Sequence, residues 1–279
     1  MRKRLDEYNS YISDQDIQAQ YNNTTSSSSY SSITYDNSFE TSLMPNNLNH
    51  LSIFKTFLDC TLIRRFVGDF DHGGRLYGGA HIELGGRVEP SDADKPFKRY
   101  RRDITINGNS VTELDFSSLH INMLYNQLGL EGPGDAYSVF KEQPLLRLLA
   151  KRLMLVAVNV ARSSTIFREV SKWLETELVL KAQFEASGYS LEEIYDLLLE
   201  RHTAIRPLLN NPATGLKLQR MDSDIAFNII DEMMNQGIPC LPVHDSFIVP
   251  SQHEKLLEET MKAKYKERMG FDIRVAKKY

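Results

Sequence analysis

The chain has 279 residues, 41% of them hydrophobic and 25% charged, close to the average globular balance and long enough to bury a real core. Its 33 Lys and Arg stand against 37 Asp and Glu, and the formal net charge of −4 excludes a globally basic nucleic-acid binder while leaving room for a local basic groove. No apolar run reaches the roughly 18–20 residues that span a bilayer. Cys60 and Cys240 fit neither a disulfide framework nor a zinc site, so the expected setting is cytoplasmic, reducing and away from membranes.

Residues 1–50 read as a separate N-terminal segment. Met-Arg-Lys-Arg is followed by Leu-Asp-Glu-Tyr instead of an apolar stretch, so no signal peptide is expected. The run YNNTTSSSSYSSIT at 21–34 buries too little apolar surface to offset chain entropy, and the whole segment is expected to be disordered or loosely docked. Residues 51–279 read as one compact domain. Helix-like apolar intervals over 51–67 predict a short helix or helix pair, and the Gly-rich stretch 70–87 predicts loop and a short hairpin. The alternation of Ile104, Ile106, Val111, Leu114 and Phe116 around Asn107-Gly108 predicts a β-hairpin.

A change to helical period predicts a helix over 117–129 that stops at Gly129. Residues 142–185 are helix-friendly, with Pro144 placed for a first turn, and Leu191–His202 is another helix. Pro207, Asn210-Asn211-Pro212 and Gly215 mark a loop before a helix over 219–235. Two short apolar runs around His244-Asp245 suit a second tight hairpin, and 252–268 is an amphipathic helix. The expected class is α+β, a mainly antiparallel sheet with helices packed on it.

Two aspartates stand out. Asp115 and Asp245 each lie beside a short strand-like apolar run, where a carboxylate is costly unless paired or bound to a cation. Brought together, the two would repel, and a divalent ion such as Mg²⁺ relieves that repulsion through all-oxygen ligation. Arg147, Lys151 and Asn159 recur at helical intervals and fall on one stripe, where the cations suit a triphosphate. A solvated basic face is the plainer reading of that stripe.

Together these elements resemble the single-subunit nucleic-acid polymerases, the superfamily that joins family A DNA polymerases with phage and mitochondrial-type RNA polymerases. Asp71-His72-Gly73-Gly74-Arg75 resembles its DxxGR motif, and Asp115 in DFSSLH resembles motif A. The stretch from Arg147 to Asn159 resembles the fingers helix, motif B, and Val243 to Phe247 (VHDSF) resembles motif C. The resemblance implies a palm-like antiparallel sheet with packed helices and a reduced helical fingers region. It implies that Asp115 and Asp245 are catalytic and hold two Mg²⁺ ions (or Mn²⁺), with the Phe116 carbonyl as a further ligand.

By the same resemblance, Arg147, Lys151, Asn159 and His120 would face the nucleoside triphosphate. Arg75 and His244 would contact the primer and template, and the basic stretch around Lys98, Arg99 and Arg101 would track phosphates, against the plainer reading of a solvated loop. The implied activity is template-directed addition of nucleotides to a 3′-hydroxyl with release of pyrophosphate.

Asn159 stands where the family carries an aromatic residue, and His120 stands where its DNA polymerases carry Glu, so the choice of NTP or dNTP stays open. Only the globular stretch from residue 51 precedes motif A, so a thumb or processivity function is expected from a protein partner. Two alternatives remain at this stage. One is a catalytically degenerate palm that binds nucleic acid or nucleotide within a larger replication or defence assembly, and the other is a structural α+β protein with coincidental motifs.

Overall fold

The structure, a computed structural model, describes residues 2–22, 53–57, 60–78 and 101–278. The chain begins with helix α1 (Arg2–Ser13), then strands β1 (Ile17–Asn22), β2 (Ile53–Phe57), β3 (Leu62–Val67) and β4 (Asp69–Gly78). Strands β5 (Ile104–Ile106) and β6 (Asn109–Phe116) lead into helix α2 (Leu119–Gln127). Helices α3 (Pro144–Ala157), α4 (Ser163–Thr176), α5 (Leu178–Ala186) and α6 (Leu191–Arg201) follow. The long α7 (Pro212–Asn235) precedes the hairpin β7 (Leu241–Val243) and β8 (Ser246–Pro250), and α8 (Glu254–Met269) and β9 (Val275–Lys277) complete the order.

The class is mixed α and β with an antiparallel sheet, as the periodicities imply. Strand order is β2-β1-β5-β6-β8-β7, and β9 pairs with β6 on the edge opposite β8. β5 and β6 form the expected hairpin, with Asn107 and Gly108 at φ 51° and 74°, the left-handed pair that a two-residue turn of primed type demands. Helices α7 and α8 pack on each other, and both touch this sheet, while α3 to α6 form a helical cluster beside it.

Four expectations need correction. Residues 2–22 are neither loose nor featureless, although 23–50, with the Ser-rich run, lies outside the described residues. Tyr8 and Ile12, one helical turn apart, are buried. The Tyr8 hydroxyl donates to the Cys240 carbonyl (2.9 Å), Asn9 pairs with the backbone of Leu62 in both directions (2.9 and 2.7 Å), and Arg4 bridges to Asp231 (2.6 Å). A polar average hid a narrow apolar stripe.

The predicted helix over 51–67 is instead β2 and β3. In β3, Leu62, Arg64 and Phe66 point inward while Ile63, Arg65 and Val67 are exposed, a period of two. Arg64 is an arginine on the inner face, and its 4% exposed side chain is satisfied by Gly74 O (2.6 Å), Ser223 Oγ (2.6 Å) and Asp224 (2.7 Å). Helical counting fails where a buried cation occupies an inward position.

The Gly-rich stretch 70–87, expected as loop and a short hairpin, contains most of the ten-residue strand β4, paired with β3 through a bulged register, and 79–87 lies outside the described residues. Gly74, at φ 80°, permits this pairing, because a Cβ there would sit 2.8 Å from the Phe66 ring. Finally, α7 starts at Pro212, seven residues earlier than expected. The Asn211 side chain caps it by accepting from Ala213 N (3.1 Å), and proline at the first turn is a helix start, not a break.

Gly215 lies inside α7 because the helix presses against the turn after α3. A Cβ there would fall 2.3 Å from Asn159 Oδ1 and 2.9 Å from the Val158 carbonyl, and the second is backbone. Gly215→Ala is therefore expected to destabilise the fold by about 1–3 kcal/mol despite alanine's better helix propensity. Urea unfolding with an unchanged m-value would measure it.

Candidate functional site

Asp115 and Asp245 are brought together by strand pairing. β6 and β8 run antiparallel with Asp115 opposite Ser246, and Phe116 N donates to Asp245 O (3.2 Å) at the end of the ladder. Asp245 itself sits in the two-residue loop between β7 and β8, behind His244, whose φ is 59°. A second non-glycine residue in the left-handed region, Ser118 at φ 52°, opens α2 three positions beyond Asp115. Such conformations cost of order 1–3 kcal/mol and persist only where the surroundings impose them.

The Asp115 carboxyl is pushed up to about 7, first by burial and then by the charge of Asp245, against the opposing pull of Lys278. Its Oδ1 is buried and has no hydrogen-bond partner among the described residues. Its Oδ2 lies 3.4 Å from Lys278 Nζ. A buried, unpartnered carboxylate oxygen beside a second carboxylate is the donor set of a hard divalent cation, so these residues fit Mg²⁺. No group of three or more His, Cys, Asp or Glu side chains placed to hold a metal ion together is found among the described residues. Two protein carboxylates are sufficient for an ion whose other ligands are waters and substrate phosphates.

Beneath the pair, two residues back along the same face of β6, lies Glu113, 1% exposed. It accepts from Ser246 Oγ (2.6 Å), Arg101 Nη1 (2.8 Å) and Lys278 Nζ (3.1 Å). Burial opposes its ionisation, but the hydroxyl and the two cations outweigh that and hold its carboxyl below the usual range. This corrects the expectation for Arg101, whose 12% exposed guanidinium faces inward to Glu113 instead of outward to phosphate. Lys98 and Arg99 lie outside the described residues.

His120 and Arg75 converge on one carboxylate of α7. Asp222 Oδ2 is 2.7 Å from His120 Nε2 and 3.2 Å from Arg75 Nη2. Arg75 and Asp222, with Leu76, Ser223, Pro242 and His244, line a small cleft joining the β4 strand, α7 and the turn that carries Asp245. Asp222 thus organises two residues that had been expected to act separately on substrate.

Expectations for α3 are only partly met. Asn159 is past the helix end, in the turn after Ala157, so it does not share a helical stripe with Arg147 and Lys151. Its Nδ2 donates to Leu155 O (2.7 Å) and its Oδ1 accepts from Gln219 (3.4 Å), which ties α3 to α7. Arg147 is engaged rather than displayed. Its guanidinium makes a two-pronged bond to Asp135 (2.9 and 2.8 Å) and reaches Tyr137 O (2.9 Å). The Arg147 hydrogen bond holds the Asp135 carboxyl low. Lys151 is exposed and lies 5.9 Å from the Tyr137 ring centroid.

No family model matches the chain, and no curated protein is significantly similar to it. Sequence reasoning missed Glu113, Lys278 and Asp135. Glu113 left a legible signal, an acid two positions before Asp115 on a strand of period two. Lys278 left none, because only the pairing of β9 with β6 brings it near. No helix among the described residues is long and apolar enough to cross a membrane.

Proposed function

We propose that this chain is a metal-dependent nucleotidyltransferase of the polymerase palm type, adding nucleotides to a nucleic-acid 3′-hydroxyl on a template. The observation that carries the reading is the antiparallel pairing that sets Asp115 beside the turn holding Asp245, with Asp115 Oδ1 buried and without a hydrogen-bond partner among the described residues. The palm-like architecture belongs to the same proposal, supported by the hairpin–helix–hairpin order around that pair.

Asp115 and Asp245, with the Phe116 carbonyl, would hold two Mg²⁺ ions. Bound there, the ions would supply Lewis acidity for the attacking hydroxyl and for the leaving pyrophosphate. Glu113 and Lys278 keep Asp115 oriented from beneath. Arg75 and Asp222, with His244, form the cleft wall where a primer end would lie, and His120 is bonded to Asp222 beside it. Lys151 is exposed and available to the triphosphate, and Arg147 joins it on release from Asp135. Asp135→Asn is accordingly expected to tighten nucleotide binding several-fold, read by equilibrium titration with a fluorescent triphosphate.

Primer extension tests the proposal. Purified protein is given DNA or RNA templates, dNTPs or NTPs, and Mg²⁺ or Mn²⁺, with Asp245→Ala as control. Templated product that disappears in the control supports it and reads out the sugar preference. Absence of product under every combination overturns it.

A second reading, a palm that binds nucleotide or nucleic acid without catalysis, is favoured by the engagement of Arg147 with Asp135. It predicts nucleotide binding that is indifferent to Mg²⁺, whereas the enzyme binds nucleotide more tightly as the ion is added.

A further inference from the structure

Lys278 stands in the candidate metal site. Its backbone N–H donates to Glu113 O (3.0 Å), which extends the β9–β6 pairing by one residue. Successive side chains along such a segment alternate in direction. Lys277 accordingly reaches Glu254 (2.6 Å), away from the aspartates, and Lys278 turns to Glu113 (3.1 Å) and Asp115 Oδ2 (3.4 Å). Three carboxylates, Glu113, Asp115 and Asp245, are offset there by two cations, Arg101 and Lys278.

The two cations differ in freedom. Arg101 is 12% exposed and faces a carboxylate that is itself 1% exposed, so it is locked in place. The Lys278 side chain is 36% exposed and ends in a single flexible ammonium, so it can leave Asp115 for water at little cost. Its charge sits on the outer oxygen of the same carboxylate whose inner oxygen is unpartnered. While the ammonium stays at that distance it repels a divalent ion approaching the carboxylate, and that repulsion is what the ion must overcome to displace it.

We infer that Lys278 is a built-in counter-ion of the aspartate pair, which neutralises Asp115 when no divalent ion is bound and sets the affinity for that ion by opposing it. The inference rests on the metal-site reading above. It makes Lys278 a positioning residue for Asp115 rather than a group that touches substrate. The consequence is a site that holds a divalent ion weakly alone and more firmly when an anionic ligand such as a triphosphate supplies the balancing charge.

The test is direct Mn²⁺ titration of the full chain, followed by the electron paramagnetic resonance signal of the free ion. Wild type, Lys278→Met and Lys278→Arg are compared. Lys278→Met is expected to bind Mn²⁺ about tenfold more tightly than wild type, and Lys278→Arg, which keeps the charge, to stay near the wild-type affinity. Lys278→Gln retains a hydrogen bond to Glu113 and gives the same reading should the methionine variant fail to fold. Wild-type binding with no tightening in the neutral variants overturns the role of Lys278 and leaves the metal site standing. No Mn²⁺ binding by any of these proteins overturns the metal site itself and the inference with it.

Discussion

Asp245→Ala is expected to abolish templated nucleotide incorporation, with a fall of at least about a thousandfold, because several kcal/mol of transition-state charge stabilisation would go with the ion it holds. The fold should survive. Asp245 sits in a two-residue loop rather than within a strand, and its backbone carbonyl, which accepts from Phe116 N, is unchanged by the substitution. Thermal unfolding within a few degrees of wild type, together with lost incorporation, is the expected pair of results. Retained Mg²⁺-dependent incorporation would remove Asp245 from the catalytic site. Asp115→Ala should lose activity equally, and the double variant should be no worse than either single one, since both carboxylates serve one centre.

The second prediction concerns stability. Burial and the neighbouring Asp245 raise the Asp115 carboxyl to about 7 in the fold, above its ordinary value of 3.8. Folding therefore takes up a proton across that window. The contribution of this group to stability is fully present below pH ~4 and is lost as pH rises through about 7. The full shift corresponds to a ceiling of about 4 kcal/mol, and sharing of the proton with Asp245 reduces the expected value to about 2 kcal/mol.

Asp115→Asn removes this ionisation. Metal-free protein carrying it should melt about 4–8 °C higher than wild type at pH 8, and the gain should vanish by pH 4. Calorimetry in the presence of a chelator at the two pH values measures both. An equal melting temperature at pH 8 would show that the wild-type carboxylate is accommodated without cost. The substitution is also expected to abolish Mg²⁺-dependent stabilisation, so the same residue would trade stability for ion binding.

Much of the fold was legible in local pattern. The β5–β6 hairpin was announced by Asn107-Gly108, and the β7–β8 hairpin by two apolar runs flanking His244-Asp245. α2 was closed by Gly129, and Pro144 stood in the first turn of α3. These signals act over a few residues and need no partner. β3 failed for the opposite reason: Arg64 occupies an inward position that the Gly74 carbonyl and, on a distant helix, Ser223 and Asp224 make tolerable. α1 failed because a few residues in a polar segment mean nothing until the Cys240 carbonyl accepts from Tyr8 and the Leu62 backbone pairs with Asn9.

The candidate site divides along the same line. Asp115 and Asp245 could be singled out from sequence alone, because a carboxylate beside a short apolar strand is energetically conspicuous wherever the chain goes. Composition likewise determined a chain with a core and without a long apolar span, and hydrophobic periodicity determined the mixed α and β class. Tertiary structure alone decided what surrounds those carboxylates. It placed Glu113 beneath Asp115, turned Arg101 inward, and engaged Arg147 with Asp135. It also joined Arg75 to His120 through Asp222 and delivered Lys278 along β9. Each of these depends on a charge finding a partner far away in the chain, and electrostatic pairing is set by distance in space and local burial, which sequence spacing does not encode.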